Sequence, residues 1–402
     1  MHHDRLLFPD VARGLALLGI ALANVCTAWI ATEHFGGVDT TADKTYAVFS
    51  AMFVHVRGLP MFSTLLGFGV GLITMSLWRK GFPLRRARVV IAKRYGYLAL
   101  FGALHLIFLF YGDIMMFYGL GGIVIALCLS LTDKVLLRAS YVLLGLQALL
   151  GIALAVLFGI LGGAEPSIAA EFSTAELDMD AESYPMLLLY NLGMFFAQLL
   201  SSPVYLLQLL PVMFIGFVWA RRGTLARAET RELMPWILIL VAVIFLVGLP
   251  WGLAAIGVLP TALELPLEMV NSTLGILTGP GIVALTALAL RSVRGLPWWL
   301  WPLAALGKRS MTGYLLQSVF FFALVHPFTL NIGHDFGALG LGLLAAGVWL
   351  GTLVIACILE ATGKPGPFEW VHRRLSYGPT MQPQMVPAQQ ALPASLPGAS
   401  GA

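Results

Sequence analysis

A histidine and an aspartate lie close together in one apolar stretch, KRYGYLALFGALHLIFLFYGDI, and their side chains can move a proton. Histidine is the side chain that titrates near neutral pH without help, which suits a general base or a proton relay. Arg94 precedes His105 by eleven residues, so one helix face would carry both, about 16 Å apart along the axis. We predict a catalytic pair, His105 and Asp113, with Arg94 in binding. The alternative is a histidine that only bonds a neighbouring helix.

Two further groups of polar residues border apolar segments. Near the start of the chain, we predict that Arg5, Asp10, Arg13 and Asn24 form a binding cluster. The alternative is an anchor in which the arginines fix the topology and the aspartate caps a helix.

Later in the chain, Lys308 and Arg309 precede a segment in which Gln317 lies on one face with Ser310 and Tyr314. A polar face in an apolar helix turns inward, toward a cavity or another helix. We therefore predict that Lys308, Arg309 and Gln317 bind substrate, and packing between helices is the alternative.

Several residues in predicted external loops have types that bind metals or anions: His55, Arg57, His326, His334 and Asp335. Their spacing matches no ordered metal site, so we predict no metal. Arg57 departs from the charge pattern of the other basic residues. We therefore expect it to have a local acidic partner or an anionic ligand.

The elements that position these residues follow from composition. Apolar residues make up 59% of the 402 residues and charged residues 11%, and the mean hydropathy is +0.86. Such a chain cannot cover a water-soluble surface, which excludes a soluble enzyme and a nucleic-acid-binding protein. The fold class predicted is an all-α polytopic membrane protein of about ten helices. The predicted spans are 14–32, 59–78, 95–111, 114–132, 139–162, 203–220, 236–258, 270–290, 311–330 and 338–359.

The basic residues orient these spans. With both termini in the cytoplasm, 22 of the 24 lysines and arginines lie inside, and only Lys44 and Arg57 lie outside. We predict one bundle over residues 1–378, in the inner (plasma) membrane, and a disordered tail over 379–402. Segment 186–201 is predicted as an interfacial or re-entrant helix, because 186–220 is too long for one span.

Five sequence blocks resemble a known family: RLLFPDVARGLALLGIALANV, FSTLLGFGVGL, GALHLIFLFYGDI, GKRSMTGYLLQSV and GPFEWVHRRLSYG. They look like the YeiB-like integral membrane proteins and cover nearly the whole chain. The last two are the more specific. The opening block is similar to heparan-glucosaminide acetyltransferase-like proteins and other multi-span acyltransferases. The YeiB-like family has no settled activity, so the resemblance implies membership and leaves the reaction open.

Three functions therefore stay open. In the first, an acyl-thioester co-substrate docks on the basic inner face, and His105 activates a small-molecule, lipid or glycan acceptor arriving from outside. In the second, the same residues couple proton movement to the transport of a small solute. In the third, the chain is a non-catalytic scaffold. We expect the bilayer as partner, no nucleic acid and no tightly bound cofactor. The sequence leaves the oligomeric state open.

The charge asymmetry makes the topology testable. Reporter fusions after Ser173 and after Arg227 should report outside and inside respectively, because the basic residues concentrate in alternate loops. Reporter activity in cells measures each position. The opposite location at either position would refute the topology.

Overall fold

A computed structural model of the chain describes residues 6–30, 35–164 and 181–384. Within these ranges the regular elements are helices, apart from one isolated parallel bridge between Gly37 and Gly337. An all-helical arrangement is what lipid favours, because a helix satisfies its backbone hydrogen bonds within one segment. The predicted fold class, an all-α polytopic membrane protein, is confirmed.

Sixteen α-helices are described. The first eight are α1 Phe8–Asn24, α2 Thr41–Phe53, α3 Gly58–Arg79, α4 Leu84–Phe108, α5 Met115–Leu127, α6 Asp133–Ala164, α7 Tyr184–Arg222 and α8 Thr224–Arg227. The others are α9 Thr230–Val243, α10 Leu249–Ala255, α11 Glu264–Leu274, α12 Thr278–Leu290, α13 Trp301–Lys308, α14 Ser310–Val325, α15 Ala338–Ala361 and α16 Pro367–Tyr377. Short π or 3₁₀ turns extend several of them; two such turns are Val25–Trp29 and Ile244–Gly248.

The long apolar helices match the predicted spans. Eight helical segments among the described residues are long and apolar enough to cross a bilayer, and the helices Met115–Ser130 and Ser310–Val325 are shorter apolar ones. Each of the ten predicted spans falls on one of these ten segments. Helices α2 and α3 form one of them, Thr41–Arg79, with a break between them.

One predicted element is wrong. Segment 186–201 is not a separate interfacial or re-entrant helix but the first part of α7, which continues without interruption for 39 residues. Pro203 and Pro211 lie inside this helix. Prolines are tolerated in membrane helices because neighbouring groups satisfy the backbone that they leave unbonded. The first part of α7 exposes large apolar side chains such as Leu200, which is 85% exposed, and these face the lipid.

Contacts between loops divide the helix ends into two faces. On one face, Arg222 at the end of α7 bonds Asp133 at the start of α6, with an Nε–Oδ2 distance of 3.0 Å. There too, Arg88 donates to the Ser130 hydroxyl at 2.7 Å. These contacts join loops that the charge pattern predicts to be cytoplasmic.

Contacts on the opposite face join loops predicted to be external. Gly37 pairs with Gly337, and the Tyr184 hydroxyl donates to the Phe108 carbonyl at 3.1 Å. Each of these four contacts thus joins chain segments that the charge pattern predicts to lie on the same face.

Helices α3 and α7 pack closely against each other through small residues. A Cβ atom added to Gly67 would overlap the Met213 carbonyl, and a Cβ atom added to Gly216 would overlap the Thr64 carbonyl. Gly71 faces Ala220 on the same side of α3. Small residues that allow backbones to approach are typical of membrane helix pairs. The glycines of α3 therefore serve helix packing.

This contact can be tested by overpacking. Gly67→Leu should destabilise the protein by about 1–3 kcal/mol or prevent folding, because the Met213 backbone occupies the required space. Gly145→Leu is the control, since nothing lies within 4 Å of a Cβ there. Thermal unfolding of the detergent-solubilised proteins measures both. Equal melting temperatures for the two variants would contradict the packing described.

Candidate functional site

The predicted pair of His105 and Asp113 forms a buried hydrogen bond. Asp113 Oδ2 lies 2.7 Å from His105 Nδ1, and the two side chains are 3% and 0% exposed. The chain turns between α4 and α5, and Asp113 Oδ1 accepts the Met116 backbone N–H at 2.9 Å in the first turn of α5. The contact requires Gly102 on α4, because a Cβ there would lie 2.6 Å from Asp113 Oδ1. Local helix capping thus fixes the carboxylate against the imidazole.

The other ring nitrogen of His105 is available for chemistry. Its Nε2 atom is buried and bonds to none of the residues that the structure describes. The rings of Tyr314 and Phe110 border the imidazole at centroid distances of 5.4 and 6.0 Å. Because a carboxylate favours the proton on Nδ1, the neutral imidazole would present the Nε2 lone pair as a base. This is the arrangement in which an aspartate orients a catalytic histidine.

A cavity of about 230 Å³ has a charged end and an apolar end, because its lining passes from Arg13 to Leu17 along α1 and from Arg94 to Leu98 along α4. Arg13, Arg94 and Lys308 line its charged end together with Glu369 and His372. The apolar end is lined by Leu17, Ile20, Phe62, Leu66, Leu98, Ile114, Met115, Tyr118 and Tyr314. The cavity therefore has the polarity of an amphiphile with an anionic head.

The apolar end stops next to the histidine–aspartate pair. Ile114 and Met115 follow Asp113 directly, and Tyr314 lines the cavity while its ring packs on His105. His105 and Asp113 are not among the lining residues. The side chain of Tyr314 thus contacts both the cavity and the imidazole.

A second cavity of about 500 Å³ adjoins the first. The two share four lining residues, Arg94, Lys308, Glu369 and His372. Further residues of the second cavity are cationic or aromatic: Arg309, Arg373, Trp370 and Tyr377. Guanidinium groups and aromatic rings together suit a phosphate-bearing or otherwise anionic head group.

Helix α16 forms one wall of both cavities. Glu369 accepts the backbone N–H groups of Met311 at 2.8 Å and Thr312 at 3.0 Å, so its carboxylate caps α14. His372 Nε2 lies 2.8 Å from the Arg94 carbonyl. The amphipathic segment around His372 is therefore part of the site.

Arg94 itself is held from α16. Its Nη1 atom donates to the Tyr377 hydroxyl at 3.2 Å, and its guanidinium lies 5.5 Å from the centre of that ring. Sequence reasoning missed Glu369, His372 and Tyr377 as site residues. The signal was present, because GPFEWVHRRLSYG is one of the two most specific blocks. It contacts the other specific block, GKRSMTGYLLQSV, through Glu369.

The basic residues before α14 share one carboxylate that the sequence analysis did not single out. Arg309 Nη1 lies 2.6 Å from Glu360 Oε2, and Lys308 Nζ pairs with the other oxygen of Glu360. Arg309 also donates to the Lys364 carbonyl. Lys308 lines both cavities, whereas Arg309 lines only the second.

The remaining predicted site residues are placed as follows. Asp10 Oδ1 lies 3.7 Å from Arg13 Nη1. Gln317 is buried and donates to the Leu17 carbonyl at 3.1 Å, which links α14 to α1. Asn24 is half-buried at the last residue of α1. Asp10, Asn24 and Gln317 line neither cavity, and their roles in binding stay predictions.

Some predicted features lie outside the described residues. They are Arg5, most of the acidic loop at 163–185 and the tail from 385 onward. Over the ranges that are described, no group of three or more histidine, cysteine, aspartate or glutamate side chains is placed to hold a metal ion.

Comparisons with known proteins agree with the sequence blocks. Residues 219–379 match the family model described as "Protein of unknown function (DUF418)". The chain is 25% identical over 410 aligned positions to "Uncharacterized protein YeiB" of Escherichia coli (strain K12), covering 93% of this chain and 96% of that protein. No solved structure matches the chain. The match to the family model contains α14 and α16, and the longer alignment also covers α4 and its histidine.

His372 should make the stability of the folded protein depend on pH. Burial lowers the pKa of His372 to about 4, and the charge of Arg94 adds to this effect. Between pH 6.5 and 4, His372 is protonated in the unfolded chain but not in the folded chain. The free energy of unfolding should therefore fall as the pH falls. The stability lost should be on the order of 3 kcal/mol.

The readout is the melting temperature of wild type and His372→Gln between pH 7 and 4. Glutamine keeps a donor for the Arg94 carbonyl but does not titrate, so the variant should lose less stability in this range. His334→Gln, at an exposed histidine, is the matched control. Parallel curves for wild type and His372→Gln would contradict a neutral, buried His372.

Proposed function

We propose that this YeiB-like membrane protein, a multi-span protein whose relatives have no settled activity, is an acyltransferase. In this proposal, an acyl-thioester donor binds in the two adjoining cavities, and His105 is the general base. The residues of the first cavity carry the argument, because its cationic end and its apolar end match the two ends of such a donor.

The sizes of the cavities divide the donor between them. Pockets for small molecules usually measure about 300–1,000 Å³. The first cavity, at about 230 Å³, fits a short acyl arm, and the second cavity, at about 500 Å³, fits an anionic head. Arg94 and Lys308 line both and would hold the junction between head and arm.

The histidine–aspartate pair supplies the proton transfers. Neutral His105 takes the proton from an acceptor hydroxyl or amine through Nε2, and the acceptor atom attacks the thioester carbonyl carbon. The tetrahedral oxyanion then collapses, the carbon–sulfur bond breaks, and the thiolate takes the proton back from the imidazolium. Asp113, bonded at Nδ1, stabilises the imidazolium in between.

The pair lies between the two approach routes. His105 is in the last turn of α4, next to the turn that carries Asp113, and this end of the helix lies on the face predicted to be external. The acceptor would therefore arrive from that face and the donor from the basic face. Because His105 does not line the cavity, side chains beside it such as Tyr314 would have to move before the acyl carbon could reach His105 Nε2.

The experiment uses the purified full-length protein and a radiolabelled acyl thioester. His105→Gln should reduce transfer or hydrolysis by about 10²–10⁴-fold while the protein still folds, because glutamine cannot exchange a proton near neutral pH. Arg94→Ala should weaken donor binding more than Arg374→Ala, which changes an exposed arginine of α16 that lines neither cavity.

Three outcomes would contradict the proposal. If proteoliposomes show solute uptake driven by a pH gradient and no thioester chemistry, the site serves proton-coupled transport instead. If folded His105→Gln keeps full transferase activity, His105 is a packing residue and the proposed general base is wrong. If the purified protein shows neither thioester chemistry nor solute uptake, the scaffold hypothesis replaces both mechanisms.

A further inference from the structure

A second buried polar group, separate from the cavities, lies at the break between α2 and α3. Arg57 is only 3% exposed, and the main chain before it turns sharply, with Val56 at a φ of 57°. A β-branched residue rarely adopts a positive φ, so this turn costs conformational energy that the surrounding structure must offset. The turn carries a guanidinium group into the protein interior.

The hydrogen bonds of Arg57 leave part of its charge unbalanced. Its Nε donates to the Met52 carbonyl at 3.0 Å, and its Nη2 donates to Asn271 Oδ1 at 2.8 Å and to the Ala51 carbonyl at 3.4 Å. All of these acceptors are neutral, and carbonyls at the end of α2 supply only a partial negative charge. No carboxylate in the described part of the chain forms an ion pair with Arg57.

Two buried donors remain at this contact. Arg57 Nη1 and Asn271 Nδ2 are both buried and have no hydrogen-bond partner among the described residues. Arg57 Nη1 shares the carbon Cζ with Nη2, and Asn271 Nδ2 shares the carbon Cγ with Oδ1. Because Nη2 and Oδ1 are hydrogen-bonded to each other, both unpaired donors lie beside that hydrogen bond. Unpaired buried donors are costly, and an unpaired buried cation is more costly still. One anion could accept hydrogen bonds from both donors and balance the charge of the guanidinium.

We propose that Arg57 and Asn271 bind a small monovalent anion of the halide class. A single guanidinium neutralises a single negative charge. Space around it is limited, because a Cβ on Gly275 would lie 2.9 Å from Arg57 Nη1 and one on Gly248 would lie 3.1 Å from Nη2. A one-atom anion fits such a site better than a phosphate does. This site is independent of the proposed acyl transfer.

Chloride is the probe. The melting temperature of the purified protein should rise by about 3–6 °C between 1 and 100 mM chloride, in proportion to the logarithm of the chloride concentration once the site is filled, with gluconate keeping the ionic strength constant. Arg57→Gln should abolish this increase. An equal effect of gluconate and chloride on wild type would overturn the proposal. Stabilisation by small carboxylates but not by halides would also overturn it.

Asn271→Asp tests the charge directly. Aspartate has the shape of asparagine and keeps the acceptor for Arg57, but it supplies the negative charge from within the chain. This variant should therefore lose the response to chloride and be more stable than wild type at 1 mM chloride. Asn191→Asp, another buried asparagine, is the control and should keep the response. A full chloride response in Asn271→Asp would contradict the site.

Crystallography provides a measurement that needs no variant. In wild-type crystals grown with bromide, anomalous scattering should show a peak near Arg57 Nη1. The absence of a peak there would overturn the proposal, even if neither Arg57→Gln nor Asn271→Asp folds.

Discussion

A polar group inside a bilayer has to find its partner within the protein, because lipid offers none. Two buried contacts follow from this constraint: Asp113 bonds both His105 and the first turn of α5, and Gln317 bonds the carbonyl of Leu17. A third, half-buried contact joins Glu369 of α16 to the start of α14. Each contact joins an apolar helix to another element at one defined position. The register of the bundle therefore depends on a small number of polar side chains.

The same constraint makes the exceptions informative. His105 Nε2 and Arg57 Nη1 are two of several buried side-chain atoms to which none of the described residues gives a hydrogen-bond partner. A native structure keeps few such groups, and those that persist are frequent at functional sites. The first lies beside an amphipathic cavity and the second beside another unpaired donor. The difference in surroundings is the reason that we assign base chemistry to one and anion binding to the other.

Much of the fold was predictable from the sequence, because hydropathy and charge act on each segment separately. The ten spans and the joining of His105 to Asp113 were predicted in this way, the latter because only a short turn separates them. Contacts between distant segments were not predictable. Nothing in a single segment indicates that Glu369 caps α14 or that Glu360 neutralises Lys308 and Arg309. The error at 186–201 has a related cause, since a span of about 20 residues was assumed where one helix continues for 39.

The length of α7 has a consequence for the membrane around it. At 1.5 Å per residue, 39 residues extend about 58 Å, nearly twice the ~30 Å thickness of a hydrocarbon layer. Tilts of membrane helices rarely exceed about 40°, and a helix this long at that angle still extends beyond the layer. Its outward-facing leucines would then meet the headgroup region unless the lipids thicken locally. Hydrophobic mismatch of this kind sorts proteins by bilayer thickness, so the length of α7 would favour a thick bilayer over a thin one.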